Sequence, residues 1–203
     1  MADFVTIANL AASSLGEDDQ LRSPDDDTHL SRSVRAVWDL ERRAAIRDHS
    51  WNFAMRRQAL PAEALATPPR PFAASFRLPA KCVRLIEVMD LSRHAYAVEG
   101  KSILADTTGP LHIRFLEDVD EPASWDDLFV KAFAMRVAWQ IADRITGDAN
   151  RVTMAERKYR SALSEAKRVD ARENPQVAHE PTGWERARGW GGEAITRDGL
   201  IFP

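Results

Sequence analysis

Cysteine is almost absent from this sequence: Cys82 is the only one among 203 residues. A single cysteine cannot form an internal disulfide, and it fits a reducing compartment. No apolar run approaches the roughly 18 residues that a membrane-spanning helix needs, and the N-terminus lacks the basic segment of a secretion signal. We therefore expect a protein that is made and assembled in the cytoplasm, with no membrane contact.

Catalytic and ligand-binding motifs are also missing. The sequence has no glycine-rich phosphate loop and no nucleophile elbow, and none of its histidines has a Cys or His partner at metal-ligand spacing. Neighbouring acids such as Asp126-Asp127 are typical of helix starts. A glycosidase needs two carboxylates across a cleft, which sequence alone does not decide. The prediction is a protein that is not an enzyme and has no cofactor and no metal.

Neither sign of charge dominates. Lysine and arginine number 28, aspartate and glutamate 31, and the net charge is −3. A dedicated nucleic-acid-binding protein usually carries a strongly basic face or domain. The balance disfavours that class, although it leaves room for loose contact with DNA.

The spacing of apolar residues predicts two helices in the first part of the chain. The first has Asp3 as its N-cap and stops at Gly16. After an acidic, turn-rich loop at 17–27, Thr28 caps a second helix that runs to about Asp48.

Two further helices are predicted after the middle of the chain. Ser124 is the expected N-cap of the first, which ends at Gly147. Its two rows of apolar side chains are typical of a central helix that is packed on several sides. The second, at 149–172, is more polar, and the short connection makes the two antiparallel neighbours.

Prolines and alternating apolar residues between 55 and 119 predict about four short strands. The expected fold class is therefore α+β and mainly α: an antiparallel helical bundle with an inserted small antiparallel β-domain and an extended C-terminal arm. The expected parts are bundle helices at 1–54, the β-domain at 55–121, a central helical hairpin at 122–175 and the arm at 176–203.

An aromatic cluster stands where the second helix gives way to the first strand. It contains His49, Trp51, Asn52 and Phe53. We interpret Trp51 and Phe53 as a structural anchor that fixes the β-domain onto the helices. His49 and Asn52 are expected to satisfy backbone groups there, since His49 has no catalytic partner in the sequence.

One face of the second helix is rich in arginine, including Arg35 and Arg42. Surface charge is the default explanation of such a face. A subunit interface is the alternative, because arginine is enriched in interfaces and pairs well with carboxylates.

The last segment, 176–203, has aromatic and apolar residues without periodicity. A disordered tail seldom combines two tryptophans with an apolar end. We interpret the segment as an arm that orders on a partner, although it can instead fold back on its own domain. The expected anchors are Trp184, Trp190, Leu200, Ile201 and Phe202.

Four pieces of the chain carry a family resemblance: the opening helix at 7–16, Trp51-Asn52-Phe53-Ala54 with Arg57, the run Leu78-Pro79-Ala80-Lys81-Cys82-Val83-Arg84, and Ile113-Arg114-Phe115 followed by the helix at 125–147. In this order and spacing they resemble the head-to-tail adaptor (connector) or tail-tubular-protein-A family of tailed bacteriophages. The resemblance covers roughly residues 4 to 170. Ser50 replaces a usual proline and Lys81 a usual acid, which weakens assignment to a subfamily.

The resemblance implies a structural virion protein at the head-tail junction. Copies, commonly twelve, form a ring that joins the portal protein to the tail tube or nozzle protein. The ring extends the channel through which double-stranded DNA passes without sequence-specific contacts. In related adaptors the C-terminal segment docks on the portal, which agrees with the interpretation of 176–203.

Charge suggests how neighbouring subunits of such a ring meet. Arg35 and Arg42 of one copy are expected to pair with Asp25 and Asp26 of the next. Two other function classes stay open: a virion-associated cell-wall hydrolase and a small DNA-binding helical protein. The hydrolase needs an acid in an apolar pocket, and the DNA-binding protein needs salt-sensitive duplex binding.

Overall fold

The computed structural model describes residues 2–64, 70–92 and 95–173. The chain divides into two units, Met1–Ala171 and Arg172–Pro203, and nearly all described residues belong to the first. Within them, four helices enclose six strands in chain order. The predicted α+β, mainly α fold class with its antiparallel β insertion is confirmed. The predicted arm at 176–203 lies outside the described residues.

Helices α1 (Phe4–Leu15) and α2 (His29–Asp48) begin and end where local chemistry predicts. The Asp3 carboxylate accepts the Thr6 N–H, and the Thr28 hydroxyl accepts the Ser31 N–H. Gly16 ends α1 with φ at 76°, in the left-handed region that favours glycine. These caps satisfy backbone groups that a helix terminus leaves without partners.

Helix α3 spans Asp127–Thr146, and its predicted N-cap, Ser124, is wrong. Residues Pro122–Ser124 form a single 3₁₀ turn that the N–H of Trp125 closes onto the Pro122 carbonyl. Trp125 and Asp126 are both extended. The helix begins directly after Asp126, whose carboxylate accepts the N–H groups of Leu128 and Phe129. The proline turn thus moves the helix start beyond the serine.

Helix α4 (Ala149–Glu173) runs antiparallel to α3 after the turn at Gly147. Lys131 of α3 bonds Glu165 of α4 at 3.3 Å, whereas Trp139 stacks on Tyr159 at 5.7 Å. Later positions on α3 thus meet earlier positions on α4. The two helices are thus antiparallel neighbours.

The bundle core is strongly aromatic, and α3 supplies its centre. Phe129 and Phe133 are each 1% exposed. The Trp38 ring of α2 lies 5.1 Å from the Phe133 ring, edge to face, and the Trp125 ring lies 5.2 Å from it. Such pairs add to the stabilisation that burial of apolar surface provides. Helix α1 packs on α3 through small residues, including the fully buried Ala8 and Ala11.

The β insertion contains two three-stranded antiparallel sheets, so it has six strands where about four were predicted. One has the order β1-β6-β3 and the other β2-β5-β4. Three of the strands have only four residues, too few to give a clear alternating pattern. The strands are β1 (Met55–Leu60), β2 (Ala74–Arg77), β3 (Cys82–Val88), β4 (Tyr96–Glu99), β5 (Ser102–Ala105) and β6 (Leu111–Glu117).

The two sheets share a second core. Ile113 and Phe115 of β6 pack with Phe76 of β2 and Ile103 of β5. Leu116 points the other way, into the helical core. The first sheet therefore packs on the second sheet with one face and contacts the helices with part of the other.

Two irregularities in β3 attach this sheet to the bundle. The pairing with β6 skips Val83 and Ile86, and these two side chains pack against the helical core. Cys82 and Leu85 pack against the second core, on the face toward the second sheet. Strict alternation would put residues 83 and 86 on opposite faces, so the bulges place both of them toward the helices.

Candidate interaction surfaces

Trp51 and Phe53 join the start of the β insertion to α3. Trp51 is fully buried, and its indole N–H donates to the Ala45 carbonyl at 2.9 Å. Its ring meets the Phe129 ring edge to face at 4.9 Å, and the Phe53 ring lies 4.8 Å from the same phenylalanine. The contacts fix the direction in which the chain leaves α2.

His49 and Asn52 bind Asp170 near the end of α4. The His49 Nε2 lies 3.1 Å from one carboxylate oxygen of Asp170, and the Asn52 N–H donates to the other at 2.9 Å. The Asn52 side-chain amide also donates to the Asp170 carbonyl at 2.8 Å. The expectation that His49 satisfies a backbone group is wrong, because a buried carboxylate from α4 reaches its ring. Three bonds thus hold the helix-to-sheet crossing on α4.

A part-buried ion pair and a hydrogen bond from the same arginine connect three helices. The Arg136 Nε donates to Glu41 of α2 at 2.5 Å, and its Nη1 donates to the Tyr159 hydroxyl of α4 at 2.7 Å. Burial opposes the charged form of Arg136, but Glu41 and Tyr159 outweigh it and hold the pKa of Arg136 above its ordinary value. Removal of either Glu41 or Arg136 would therefore leave the other charged group without its partner, which destabilises the fold.

Arg42 is a structural residue, not part of an exposed arginine face. It is 8% exposed. Its Nε and Nη2 donate to the Asp118 carboxylate at 3.0 and 3.1 Å, and its Nη1 donates to Asp39 at 2.7 Å. The prediction that Arg42 faces a neighbouring subunit fails. Asp118, the residue directly after β6, lies against α2 and binds the Arg42 guanidinium in bidentate fashion.

Arg35 and the acidic loop already meet within one chain. The exposed Arg35 guanidinium donates to the Pro24 carbonyl and lies 5.8 Å from the Phe4 ring centroid. The Asp26 carboxylate accepts the Arg22 N–H at 2.7 Å and the Ser23 N–H at 3.0 Å, which lowers the pKa of Asp26. Asp26 thus shapes its own loop, whereas Asp25 is exposed. Pairing of Arg35 with Asp25 of a neighbour stays a prediction.

A groove of about 400 Å³ separates α2 from the start of β3. Leu40 forms part of its wall and is 72% exposed, more than the other exposed large hydrophobic side chains of the described residues. An exposed leucine beside a concave surface is a feature of interaction sites when charged groups surround it. The groove is lined by Leu40, Arg43, Ala44, Arg47, Ala80, Lys81, Cys82, Val83 and Asp118.

The cations of the groove have two different roles. Arg47 donates to the Val83 carbonyl at 2.5 Å, and Arg84 donates to the Arg47 carbonyl at 2.8 Å, so both clamp α2 to β3. The Arg43 side chain is 66% exposed, and its Nε lies 3.9 Å from the already occupied carboxylate of Asp118. Arg43 thus presents positive charge to solvent.

Lys81 and Cys82 complete the β3 side of the groove. The Lys81 side chain is 57% exposed and lies 3.2 Å from Asp120, which lowers the pKa of that carboxyl. Burial raises the pKa of the Cys82 thiol, so the thiol is uncharged at pH 7 and contributes no charge to the groove. The groove therefore has an apolar side and a rim with two solvent-facing cations.

Sequence reasoning missed this groove as a unit. The one available signal was Leu40, an apolar residue on the polar face of a helix whose apolar stripe lies elsewhere. The approach of β3 and Asp118 to that face has no local signature, since the residues are far apart in sequence.

The predicted portal-docking residues lie outside the described residues: Trp184, Trp190, Leu200, Ile201 and Phe202. Over the described ranges, no helix is long and apolar enough to cross a membrane. The same ranges hold no group of three His, Cys, Asp or Glu side chains placed to bind a metal ion.

Comparison with protein-family models and with curated proteins finds no match for this chain.

Proposed function

We propose that this chain is a structural virion protein, a head-to-tail adaptor of a tailed bacteriophage. Copies form a ring of twelve between the portal protein and the tail tube or nozzle protein. The ring surrounds the path of double-stranded DNA and makes no sequence-specific contacts with it. It is assembled in the host cytoplasm and becomes part of the head-tail junction.

The observation that carries the proposal is the way in which the β insertion joins the bundle. The motif Trp51-Asn52-Phe53-Ala54, which the resemblance singles out, lies at the helix-to-sheet crossing, with Trp51 fully buried against α3. The second resembling run, 78–84, contributes Val83 to the same junction. Both motifs thus have a physical role in fixing the two parts of an adaptor-like subunit.

A rigid subunit suits a ring through which DNA must pass. The Glu41–Arg136–Tyr159 link joins three helices, and the Asp170 bonds hold the β insertion on α4. A subunit with such internal links loses little conformational freedom when it assembles. A net charge of −3 also favours weak contact with phosphates, because few counterions would be released.

Electron microscopy of the protein mixed with its cognate portal protein tests the proposal. Rings stacked coaxially on the portal are expected, and a variant truncated after residue 175 is expected to stay folded and lose portal binding. A portal that remains bare with the full-length chain contradicts the proposal.

The same preparation separates the two other classes. Lysis of purified cell walls that disappears when a single acid is neutralised would indicate a hydrolase. Salt-sensitive binding of duplex DNA near physiological ionic strength, without portal binding, would indicate a DNA-binding protein.

A further inference from the structure

The basic groove between α2 and β3 has a complementary surface elsewhere on the same chain. The loop between α1 and α2, residues 17–27, carries six acids and one arginine. Four of the acids, Asp18, Asp19, Asp25 and Asp27, are exposed. A strongly negative projection and a groove with a positive rim are the kind of pair that electrostatic complementarity selects.

This acidic loop is held in one shape before any partner binds. The Asn9 side chain accepts the Leu21 N–H at 2.7 Å and donates to the Leu21 carbonyl at 2.9 Å. Leu21 itself is only 3% exposed, and Asp26 accepts two N–H groups of the loop. A preorganised loop binds with a smaller entropy loss than a flexible one.

A chain cannot place its own loop in its own groove. The loop ends at Thr28, the N-cap of α2, whereas Arg43 lies about 22 Å further along the same helix at the usual rise per residue. The contacts of Asn9 with Leu21 and of Arg35 with Pro24 keep the loop at the N-terminal end. Among the described residues, the chain's own loop therefore does not fill the groove.

We propose that the α2–β3 groove of one copy receives the 17–27 loop of the next, an inference that rests on the proposed function. Arg43 and Lys81 face the loop carboxylates, and Leu40 supplies the apolar contact. The two surfaces are different, so the contact is heterologous and continues from copy to copy, as a ring requires. This assigns the subunit contact to Arg43 and Lys81 in place of the buried Arg42.

A charge exchange between the two surfaces tests the contact. The groove variant Arg43→Glu/Lys81→Glu and the loop variant Asp18→Lys/Asp19→Lys are measured separately and as an equimolar mixture. Sedimentation velocity at low ionic strength gives the oligomer distribution. Arg157→Glu/Arg168→Glu is the matched control for the groove variant, because it also reverses two exposed cations and lowers the net charge by the same amount, but on α4.

We expect each variant alone to raise the dissociation constant of self-association about tenfold or more. The mixture should recover association, because positions 18 and 19 of one variant then meet positions 43 and 81 of the other with opposite charges, and the control should behave like wild type. Circular dichroism confirms that each variant is folded.

Three results would overturn the contact: variants that associate like wild type, a mixture that fails to recover, or a wild-type chain that stays monomeric under these conditions. The proposed function fails by a different result, the absence of any ring on the portal. Normal rings built from the groove variant would refute the contact and leave the adaptor intact.

Discussion

Replacing Glu41 by leucine should destabilise the folded chain by about 2–3 kcal/mol, because it leaves the part-buried Arg136 without its carboxylate. The two side chains are 12% and 16% exposed. Loss of one partner of a fully buried pair costs about 3–5 kcal/mol. We lower that value because some water reaches both groups and because the Tyr159 hydroxyl still accepts a bond from Arg136.

The reciprocal variant, Arg136→Met, should cost about 2–4 kcal/mol, since it leaves the Glu41 carboxylate and the Tyr159 hydroxyl without their donor. The double variant places two apolar side chains side by side. Its cost should be only about 1–2 kcal/mol, mostly from the Tyr159 hydroxyl. The expected coupling between the two sites is therefore about 2 kcal/mol or more.

Urea unfolding followed by circular dichroism measures these free energies of unfolding. The pair Arg160–Glu156 is a matched control, because it is also an Arg–Glu pair, at 2.6 Å, but its arginine side chain is 75% exposed. Its coupling should be about 0.3–0.5 kcal/mol. The reasoning is refuted if the costs at Glu41 and Arg136 simply add, or if both pairs show the same coupling.

Three further predictions concern the buried Trp51, two hydrogen-bonded aspartates and the Cys82 thiol. Trp51→Ala should cost about 3–5 kcal/mol in urea unfolding, because the side chain is fully buried; Trp51→Phe should cost clearly less. Hydrogen bonds from the N–H groups of Thr6 and Arg22 lower the pKa values of Asp3 and Asp26 below 3.8. Their stabilisation is present above that pH and is lost as the pH falls through the lowered values, so the urea midpoint should drop there. Burial raises the pKa of Cys82, so a maleimide should label the folded chain more slowly than the urea-unfolded chain at neutral pH.

Each of these three predictions has a result that would contradict it. Equal costs for Trp51→Phe and Trp51→Ala would show that the ring does not fill its site as described. A double variant Asp3→Asn/Asp26→Asn should flatten the acid response, and an unchanged profile would exclude these two groups as its source. Labelling of Cys82 at the same rate in both states would mean that the groove does not shield the thiol.

Helix boundaries were predictable where local chemistry decides them. Asp3, Gly16 and Thr28 act through neighbours in sequence, and the structure confirms all three. Ser124 failed as a cap because Asp126, two residues later, has the same capping chemistry. The choice between them depends on the turn that begins at Pro122, which the capping pattern does not include.

The candidate surfaces were much less predictable, because they depend on pairs of residues that are distant in sequence. Arg42 binds Asp118 from 76 positions away, and His49 binds Asp170 from 121 positions away. No local pattern distinguishes Arg42, which is buried, from Arg43, which is exposed on the same helix. Periodicity assigns a face to a residue, but a strand that returns onto that face changes what the residue contacts.

Cryo-electron microscopy of the full-length chain bound to its cognate portal protein tests the central claim most directly. We predict a closed ring of twelve copies that is coaxial with the portal, with the 17–27 loop of each copy against the α2–β3 groove of its neighbour. A portal without additional density, or single copies scattered on its surface, would contradict the assignment as a head-to-tail adaptor.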